Sequence, residues 1–204
     1  MYGLTPMPLE ISGWTIDDFH LPENNALVEG RRVEIVNGVL VELPMPGHQS
    51  AGPRDQLVAL LNVKSHVEEL GLRVCVETNM HLTPEHVPLP DLLVLTPEQK
   101  ARQRLEAAAR TPKRSQFEPI YVTPELVVES VSVGTARHDR QTKRGWYEAA
   151  GVPHYWILSF QNRSLLCLEL VEGVYVVEAS GTGGDVVRSA VFGGTDVPLA
   201  ELFD

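Results

Sequence analysis

The most informative stretch of the chain reads Leu126-Val127-Val128-Glu129-Ser130-Val131. Its apolar residues predict a buried strand, and the two-residue period of a strand places Val127, Glu129 and Val131 on one face. A carboxylate on an apolar face costs on the order of several kcal/mol unless a cation or hydrogen-bond donors compensate it. Glu129 therefore becomes the first candidate for a functional residue.

A second acid occupies a similar place. Asp91 follows Pro90 and precedes the apolar run Leu92-Leu93-Val94-Leu95, which predicts another buried strand. If the two strands are neighbours, the carboxylates of Asp91 and Glu129 repel each other unless a divalent cation lies between them. The alternative is that both acids lie at strand ends and face water, which is the more common fate of a single Asp or Glu.

The rest of the chain alternates between strand and helix patterns. Asn37-Gly38, between the strand-like residues 32–36 and 39–43, is the strongest hairpin signal. Further patterns predict helices at 48–70, 97–110 and 139–150 and strands at 72–76, 79–82, 154–159, 164–170, 174–179 and 185–192. We expect an N-terminal lead-in (1–30) and one domain (31–204). This order predicts an α/β (α+β) fold, a mixed β-sheet flanked by helices with an N-terminal β-hairpin and additional C-terminal strands.

Charge and composition exclude some classes of protein. The net charge of −10 argues against a general nucleic-acid coat protein, because phosphate binding depends on Lys and Arg. Residues 100–114 nevertheless carry six basic residues and one acid, which suits either a nucleic-acid contact or a solvated helix, and the pattern alone favours the helix.

The sequence also indicates a compartment. No stretch approaches the ~18 apolar residues of a membrane span, and residues 1–10 lack the basic start of a secretory signal. Cys75 and Cys167 lie in apolar segments without a neighbouring cysteine, so we expect buried thiols rather than a disulfide or a zinc site. These features predict a cytoplasmic protein without a membrane partner.

The segment after Glu129 adds a cation. Asp139, Lys143 and Tyr147 recur every fourth residue and share one face of the predicted helix. Because that helix follows the Glu129 strand directly, it can bring Lys143 back over the end of the strand. The alternative is an ordinary surface pair of Asp139 and Lys143, worth about 0.3–0.5 kcal/mol.

Taken in order, several motifs resemble the Uma2 family (DUF820), a bacterial branch of the PD-(D/E)XK restriction-endonuclease-like superfamily. No single motif is specific, but their order and spacing are. The motifs are Val33-Glu34-Ile35-Val36-Asn37-Gly38, His48, Pro90-Asp91, Pro124-Glu125-Leu126-Val127-Val128-Glu129-x-x-Ser132 and Asp139-x-x-x-Lys143-x-x-x-Tyr147-x-x-Ala150-Gly151-Val152-x-x-Tyr155-Trp156.

The resemblance implies a metal-dependent endonuclease that hydrolyses DNA. Asp91 and Glu129 would be ligands of Mg²⁺ or Mn²⁺, with the backbone carbonyl of Ser130 as a further ligand. Glu34 would be a weaker catalytic candidate, at the metal or beside it. The superfamily's usual lysine position is occupied here by Val131, and the family's shift of that lysine to the following helix matches Lys143.

The same sequence also suggests two alternative functions and an oligomeric state. A catalytically inactive member of the fold, binding nucleic acid or protein, is favoured by the net charge of −10 and by Val131. A metal-free glycosidase with two carboxylates is disfavoured, because aromatic residues make up only 6% of the chain. The apolar strands within 164–192 and the need to cut both strands of a duplex predict a two-fold homodimer.

Overall fold

The computed structural model describes residues 9–44, 54–58, 61, 69–112, 117–131 and 136–203, and of residues 136–141 it describes the backbone alone. Eleven strands are found within these ranges: β1 Glu10–Ser12, β2 Val33–Val36, β3 Val39–Glu42, β4 Arg73–Val76, β5 Leu92–Leu95, β6 Leu126–Val131, β7 His154–Ser159, β8 Ser164–Val171, β9 Val174–Thr182, β10 Val186–Ser189 and β11 Thr195–Pro198. The α-helices of the same ranges are α1 Asn25–Val28, α2 Pro97–Arg110, α3 Ala136–Ala149 and α4 Leu199–Phe203. Of the helix predicted at 48–70, residues 54–58 and 61 are helical, and most of the rest lies outside the described residues.

The centre of the fold is a six-stranded sheet in the order β4-β5-β6-β7-β8-β9. Its neighbours are antiparallel except β6 and β7, which run parallel and are joined through α3. A parallel pair needs such a crossover, because the chain must return to the starting edge. The mixed sheet with helices predicted from the sequence is confirmed.

Both faces of this sheet are covered. On one face, Leu92 and Val128 pack with Leu57 of the helical residues 54–58. On the other, Val127 packs with Tyr147 of α3. The strands β5 and β6 are therefore buried on both sides, which explains why they read as nearly continuous apolar runs.

The predicted hairpin is present as β2 and β3. Asn37 (φ 51°) and Gly38 (φ 73°) both take the left-handed conformation that a tight two-residue turn requires. The strand β1 adds to the outer side of β3 and makes a three-stranded sheet. Ile35 forms a bridge to Val87, and so the hairpin is fastened to the loop that precedes β5.

Three sequence predictions are corrected. The helix predicted at 139–150 begins earlier, at Ala136. Residues 79–82 are not a strand; only Met80 bridges to Ile120, because the prolines that follow at 84, 88 and 90 lack amide donors for a ladder. The strand predicted at 185–192 stops at Ser189, and a 3₁₀ turn over Val191–Gly193 follows.

The edge strand β9 is fastened to α3 by side chains. The Tyr175 amide donates to Glu148 Oε1 at 2.5 Å, and Arg144 Nη2 donates to the Tyr175 carbonyl at 2.6 Å. The Tyr175 hydroxyl also donates to the Val152 carbonyl at 2.8 Å. Polar groups that a sheet edge would expose are thus satisfied by the helix, and the helix is held in place by the sheet.

The two cysteines, Cys75 and Cys167, are buried free thiols, as predicted. Within the described ranges, none of the helices combines the length and the apolar character needed to cross a membrane.

Candidate active site

Glu129 is the centre of the candidate site. It lies on β6, is buried, and its Oε1 accepts a hydrogen bond from the Tyr147 hydroxyl at 2.7 Å. Lys143 Nζ donates to the same oxygen at 3.1 Å. Both donors come from α3, so the crossover helix places a cation and a hydroxyl on the strand that precedes it, as the four-residue spacing predicted.

Lys143 joins two carboxylates from different parts of the chain. Its Nζ is also 3.5 Å from Glu34 Oε2 of the hairpin strand β2, and only 15% of the Lys143 side chain is exposed. Glu34 is buried, and its Oε2 has no aligned hydrogen-bond donor among the described residues. The ammonium is therefore the main compensation for two buried acids, rather than part of a surface pair.

Asp91 lies beside Glu129 at the start of β5. In the sheet Leu92 pairs with Val128, which places the residues before and after them, Asp91 and Glu129, side by side. Asp91 Oδ2 accepts a hydrogen bond from the Ser130 amide at 2.6 Å. The structure thus brings Glu34, Asp91, Glu129 and Lys143 together at one end of the central strands.

The electrostatics reflect this crowding. Burial raises the pKa of Glu129 to about 7, against the opposing effect of Lys143, and the charges of Asp91 and Glu34 add to the rise. For Lys143, burial would lower the pKa, but Glu129 and Glu34 outweigh it and raise the pKa above its ordinary value. Lys143 is accordingly protonated at neutral pH, and a raised pKa suits Glu129 to exchanging a proton there.

One group near the site was missed by the sequence reasoning. Arg32 Nη2 lies 3.7 Å from Asp91 Oδ1, and Arg32 Nε lies 3.1 Å from Glu77 Oε1. Glu77 Oε1 also accepts from Arg54 Nη1 at 2.6 Å. The only signal in the sequence is that Arg32 directly precedes the strand of Glu34, which does not reveal that Glu77 and Arg54 meet it.

Some sequence candidates lie outside the described residues. They are His48, Ser132 and the side chain of Asp139. Within the described part of the chain, no three His, Cys, Asp or Glu side chains are grouped as a metal centre.

A second contact holds the hairpin near α3. The His86 ring meets the Trp146 ring edge-on at 5.3 Å, and it shares a hydrogen bond with Asn37 Oδ1 at 2.9 Å.

The carboxylates of the site offer oxygen ligands to a cation, while the Lys143 ammonium is already paired with Glu34 and Glu129. The Glu34 and Glu129 carboxylates lie on either side of the Lys143 ammonium, and Asp91 lies beside Glu129 with its Oδ2 on the Ser130 amide. The donors around these acids are an ammonium, a phenol and a backbone amide. Such a cluster can hold a water molecule and accept its proton through Glu129.

Comparison with known proteins agrees with this architecture. The model of the Uma2 family, described as "Putative restriction endonuclease", matches residues 17–200. A crystal structure of a "putative nuclease belonging to DUF820" from Anabaena variabilis superimposes with a TM-score of 0.62 at 13% identity, covering 84% of this chain and 89% of that chain. At that identity the likeness shows the fold alone. No curated protein matches the sequence significantly.

Proposed function

Because the chain belongs to the Uma2 family, we propose that it is a metal-dependent endonuclease that hydrolyses phosphodiester bonds in DNA. The observation that carries the proposal is the meeting of Glu34, Asp91, Glu129 and Lys143, which are far apart in the sequence. Gathering three acids in one mostly buried place is costly even with Lys143 and Arg32 beside them, which favours a functional role over a purely structural one.

The acids of the site fit a hard cation. Mg²⁺ and Mn²⁺ prefer oxygen ligands, and Asp91, Glu129 and the Ser130 carbonyl would hold the ion. Two observations support this. The pKa of Glu129 is raised by burial and by the charges of Asp91 and Glu34, so a bound cation would relieve the repulsion. Glu34 Oε2 is buried, lies 3.5 Å from Lys143 Nζ and has no aligned donor among the residues that the structure describes, so it would be able to face a metal-bound water.

Each side chain has a separate part in the proposed reaction. When bound, the metal ion would lower the pKa of a water molecule and neutralise charge on the phosphate. Lys143 positions that water or stabilises charge developing on the phosphate oxygens. Tyr147 holds Glu129 Oε1 through its hydroxyl and so fixes which way the carboxylate faces.

The proposal is tested by cleavage of plasmid DNA with Mg²⁺ or Mn²⁺. Asp91→Asn and Glu129→Gln should each reduce cleavage to background while their melting temperatures show that they are folded. Asp196→Asn serves as the matched control, because Asp196 is an exposed acid that pairs with Arg188 on the small sheet of β10 and β11. If both site variants still cleave DNA, or cleave it as fast as Asp196→Asn does, then Asp91 and Glu129 take no part in the reaction.

A second function is a catalytically inactive module that binds nucleic acid or protein. The observation in its favour is that Lys143 already compensates Glu129 and Glu34 without any metal. In that case the acids only hold α3 against the hairpin. DNA binding by gel shift with no cleavage under any divalent cation would support it, while cleavage lost specifically in Asp91→Asn would exclude it.

We also propose that the protein is a two-fold homodimer. β9 is the edge of the central sheet, and it exposes large apolar side chains: Val174, Val176 and Val177. Exposed apolar side chains favour packing against a second surface, and an identical surface is self-complementary about a two-fold axis. Two sites in one dimer would suit cleavage of both strands of a duplex.

A further inference from the structure

A chain of charged side chains runs from the candidate site towards the helical residues 54–58. It begins at Asp91, passes through Arg32 and Glu77, and reaches Arg54, which also pairs with Asp55. Only 14% of the Arg32 side chain and 13% of the Arg54 side chain are exposed. Two guanidinium groups so far from water are costly unless each has a defined partner, so this chain is not a set of casual surface pairs.

Arg32 uses its three nitrogens on three different parts of the fold. Nη1 donates to the Pro44 carbonyl after the hairpin, and Nη2 faces Asp91 Oδ1 at 3.7 Å. Nε lies 3.1 Å from Glu77 Oε1 as an ion pair, without the alignment of a hydrogen bond. The rigid, planar guanidinium group can contact three partners in different directions at once, whereas the single ammonium of a lysine cannot.

Glu77 is itself held in place from two sides. Its side chain accepts the Arg54 hydrogen bond, and its backbone amide donates to the Asp91 carbonyl at 3.1 Å. Glu77 also has a φ of 45°, a left-handed conformation that a glutamate adopts at a cost. The backbone hydrogen bond ties the residue after β4 to Asp91, while the Glu77 side chain meets Arg32.

We propose that Arg32 is a positioning residue that fixes the Asp91 carboxylate in the orientation needed to bind the metal, with Glu77 and Arg54 fixing Arg32. The inference rests on the proposed metal-dependent function. Asp91 Oδ2 accepts a hydrogen bond from the Ser130 amide at 2.6 Å, and Oδ1 forms an ion pair with Arg32 Nη2 at 3.7 Å. A hydrogen bond on one oxygen and an ion pair on the other favour a single orientation of the carboxylate beside Glu129.

The sign of the effect separates positioning from simple charge. Removing a cation beside a metal site strengthens metal binding if charge alone matters, because electrostatic repulsion is lost. If Arg32 positions Asp91, its loss weakens binding, and partners that orient ligands typically contribute about 10–100-fold in metal affinity. Arg32→Gln should therefore weaken Mn²⁺ binding about tenfold, and Arg32→Lys should restore little of it.

The experiment measures Mn²⁺ dissociation constants by calorimetry for wild type, Arg32→Gln, Arg32→Lys and Glu77→Gln. Arg31→Gln is the matched control, because Arg31 is the neighbouring residue, is 41% exposed and pairs with Glu42. We expect Glu77→Gln to weaken binding less than Arg32→Gln does and Arg31→Gln to leave it unchanged. Tighter or unchanged binding in Arg32→Gln would overturn the inference, as would full rescue by Arg32→Lys.

A measurement without metal keeps the inference separate from the proposed function. Melting temperatures are compared for Arg32→Gln, Asp91→Asn and the double variant in the presence of a chelator. If the two residues interact, the double variant loses less than the sum of the single losses. Additive losses would overturn the inference. A wild type that binds no Mn²⁺ would overturn the proposed function, and these melting temperatures would then decide whether Arg32 holds Asp91.

Discussion

Lys143 and Glu34 lie 3.5 Å apart although one belongs to the crossover helix α3 and the other to the hairpin strand β2. The contact joins the N-terminal part of the chain to its centre through a single ammonium. Because the same ammonium donates to Glu129, removing it separates two effects that can be measured independently, stability and catalytic rate.

The first prediction concerns Lys143→Ala. It leaves Glu34 and Glu129 buried without a counter-ion, so the free energy of unfolding should fall by about 3 kcal/mol at neutral pH. The cleavage rate of the folded variant should fall on the order of 10²-fold or more, as for the loss of one transition-state donor. Chemical denaturation and single-turnover cleavage provide the two measurements.

Lys143→Arg is the companion variant. It should recover stability better than rate, because a planar guanidinium keeps the charge but does not replace a compact ammonium. Wild-type cleavage in either variant would show that Lys143 only balances charge.

The second prediction concerns pH. The pKa of Glu129 rises from 4.5 to about 7 on folding, so between these values the folded state holds a proton that the unfolded state has lost. Stability should therefore decrease as pH rises from about 4.5 to about 7, by on the order of 3 kcal/mol. Glu129→Gln should lose this slope in metal-free urea titrations, whereas Asp196→Asn should keep it. Identical slopes in wild type and Glu129→Gln would show that Glu129 does not titrate in this range.

The third prediction concerns divalent cations. Mn²⁺ at about 100 times its dissociation constant should stabilise the folded protein by about 2.7 kcal/mol through mass action. Asp91→Asn or Glu129→Gln should remove most of the resulting rise in melting temperature. Each variant is compared with itself, with and without metal, because the substitutions also change the metal-free stability. A full rise in both variants would place the ion elsewhere.

The fourth prediction compares two glycines. Gly145 lies inside α3 and has open space where the Cβ of an alanine would lie, so Gly145→Ala should raise the free energy of unfolding by about 0.5–1 kcal/mol. Gly38 has a φ of +73° in the hairpin turn, so Gly38→Ala should lower it by about 1 kcal/mol. Denaturation midpoints measure both changes in stability, and we expect the two changes to have opposite signs.

The fifth prediction concerns assembly. Val177 is 63% exposed on the edge strand β9, and Val177→Lys should convert the proposed dimer to a monomer without unfolding it. Light scattering at tens of micromolar measures the mass of both proteins. Val186→Lys is the control, since Val186 is 51% exposed but lies on β10. A monomeric wild type would contradict the dimer itself.

The local parts of the fold could be predicted because their causes are local. The apolar run at 92–95 and the Asn37-Gly38 turn each contain the whole reason for their structure. The strand predicted at 79–82 was wrong. In this segment only Met80 forms a backbone bridge, to Ile120, and no strand ladder follows. The strand β1 was not predicted, because three residues carry too little pattern to reveal a partner in β3.

The candidate site likewise has contacts that the sequence could predict and contacts that it could not. Lys143 and Tyr147 could be placed on the Glu129 side of the sheet because helix and strand periods are fixed by backbone geometry. The meeting of Arg32 with Glu77 could not, since it depends on how the hairpin is set against the end of β4. Contacts between distant segments follow from the packing of the whole domain.

The distance along the chain between Glu34 and Lys143 has a consequence for synthesis. The hairpin leaves the ribosome first, and the helix that supplies the ammonium follows only after β4, β5 and β6. Contacts between such remote segments form late, because closing the long intervening loop costs entropy before any contact compensates it. A nascent chain therefore contains Glu34, Asp91 and Glu129 before Lys143, and the candidate site can assemble only after α3 has been made.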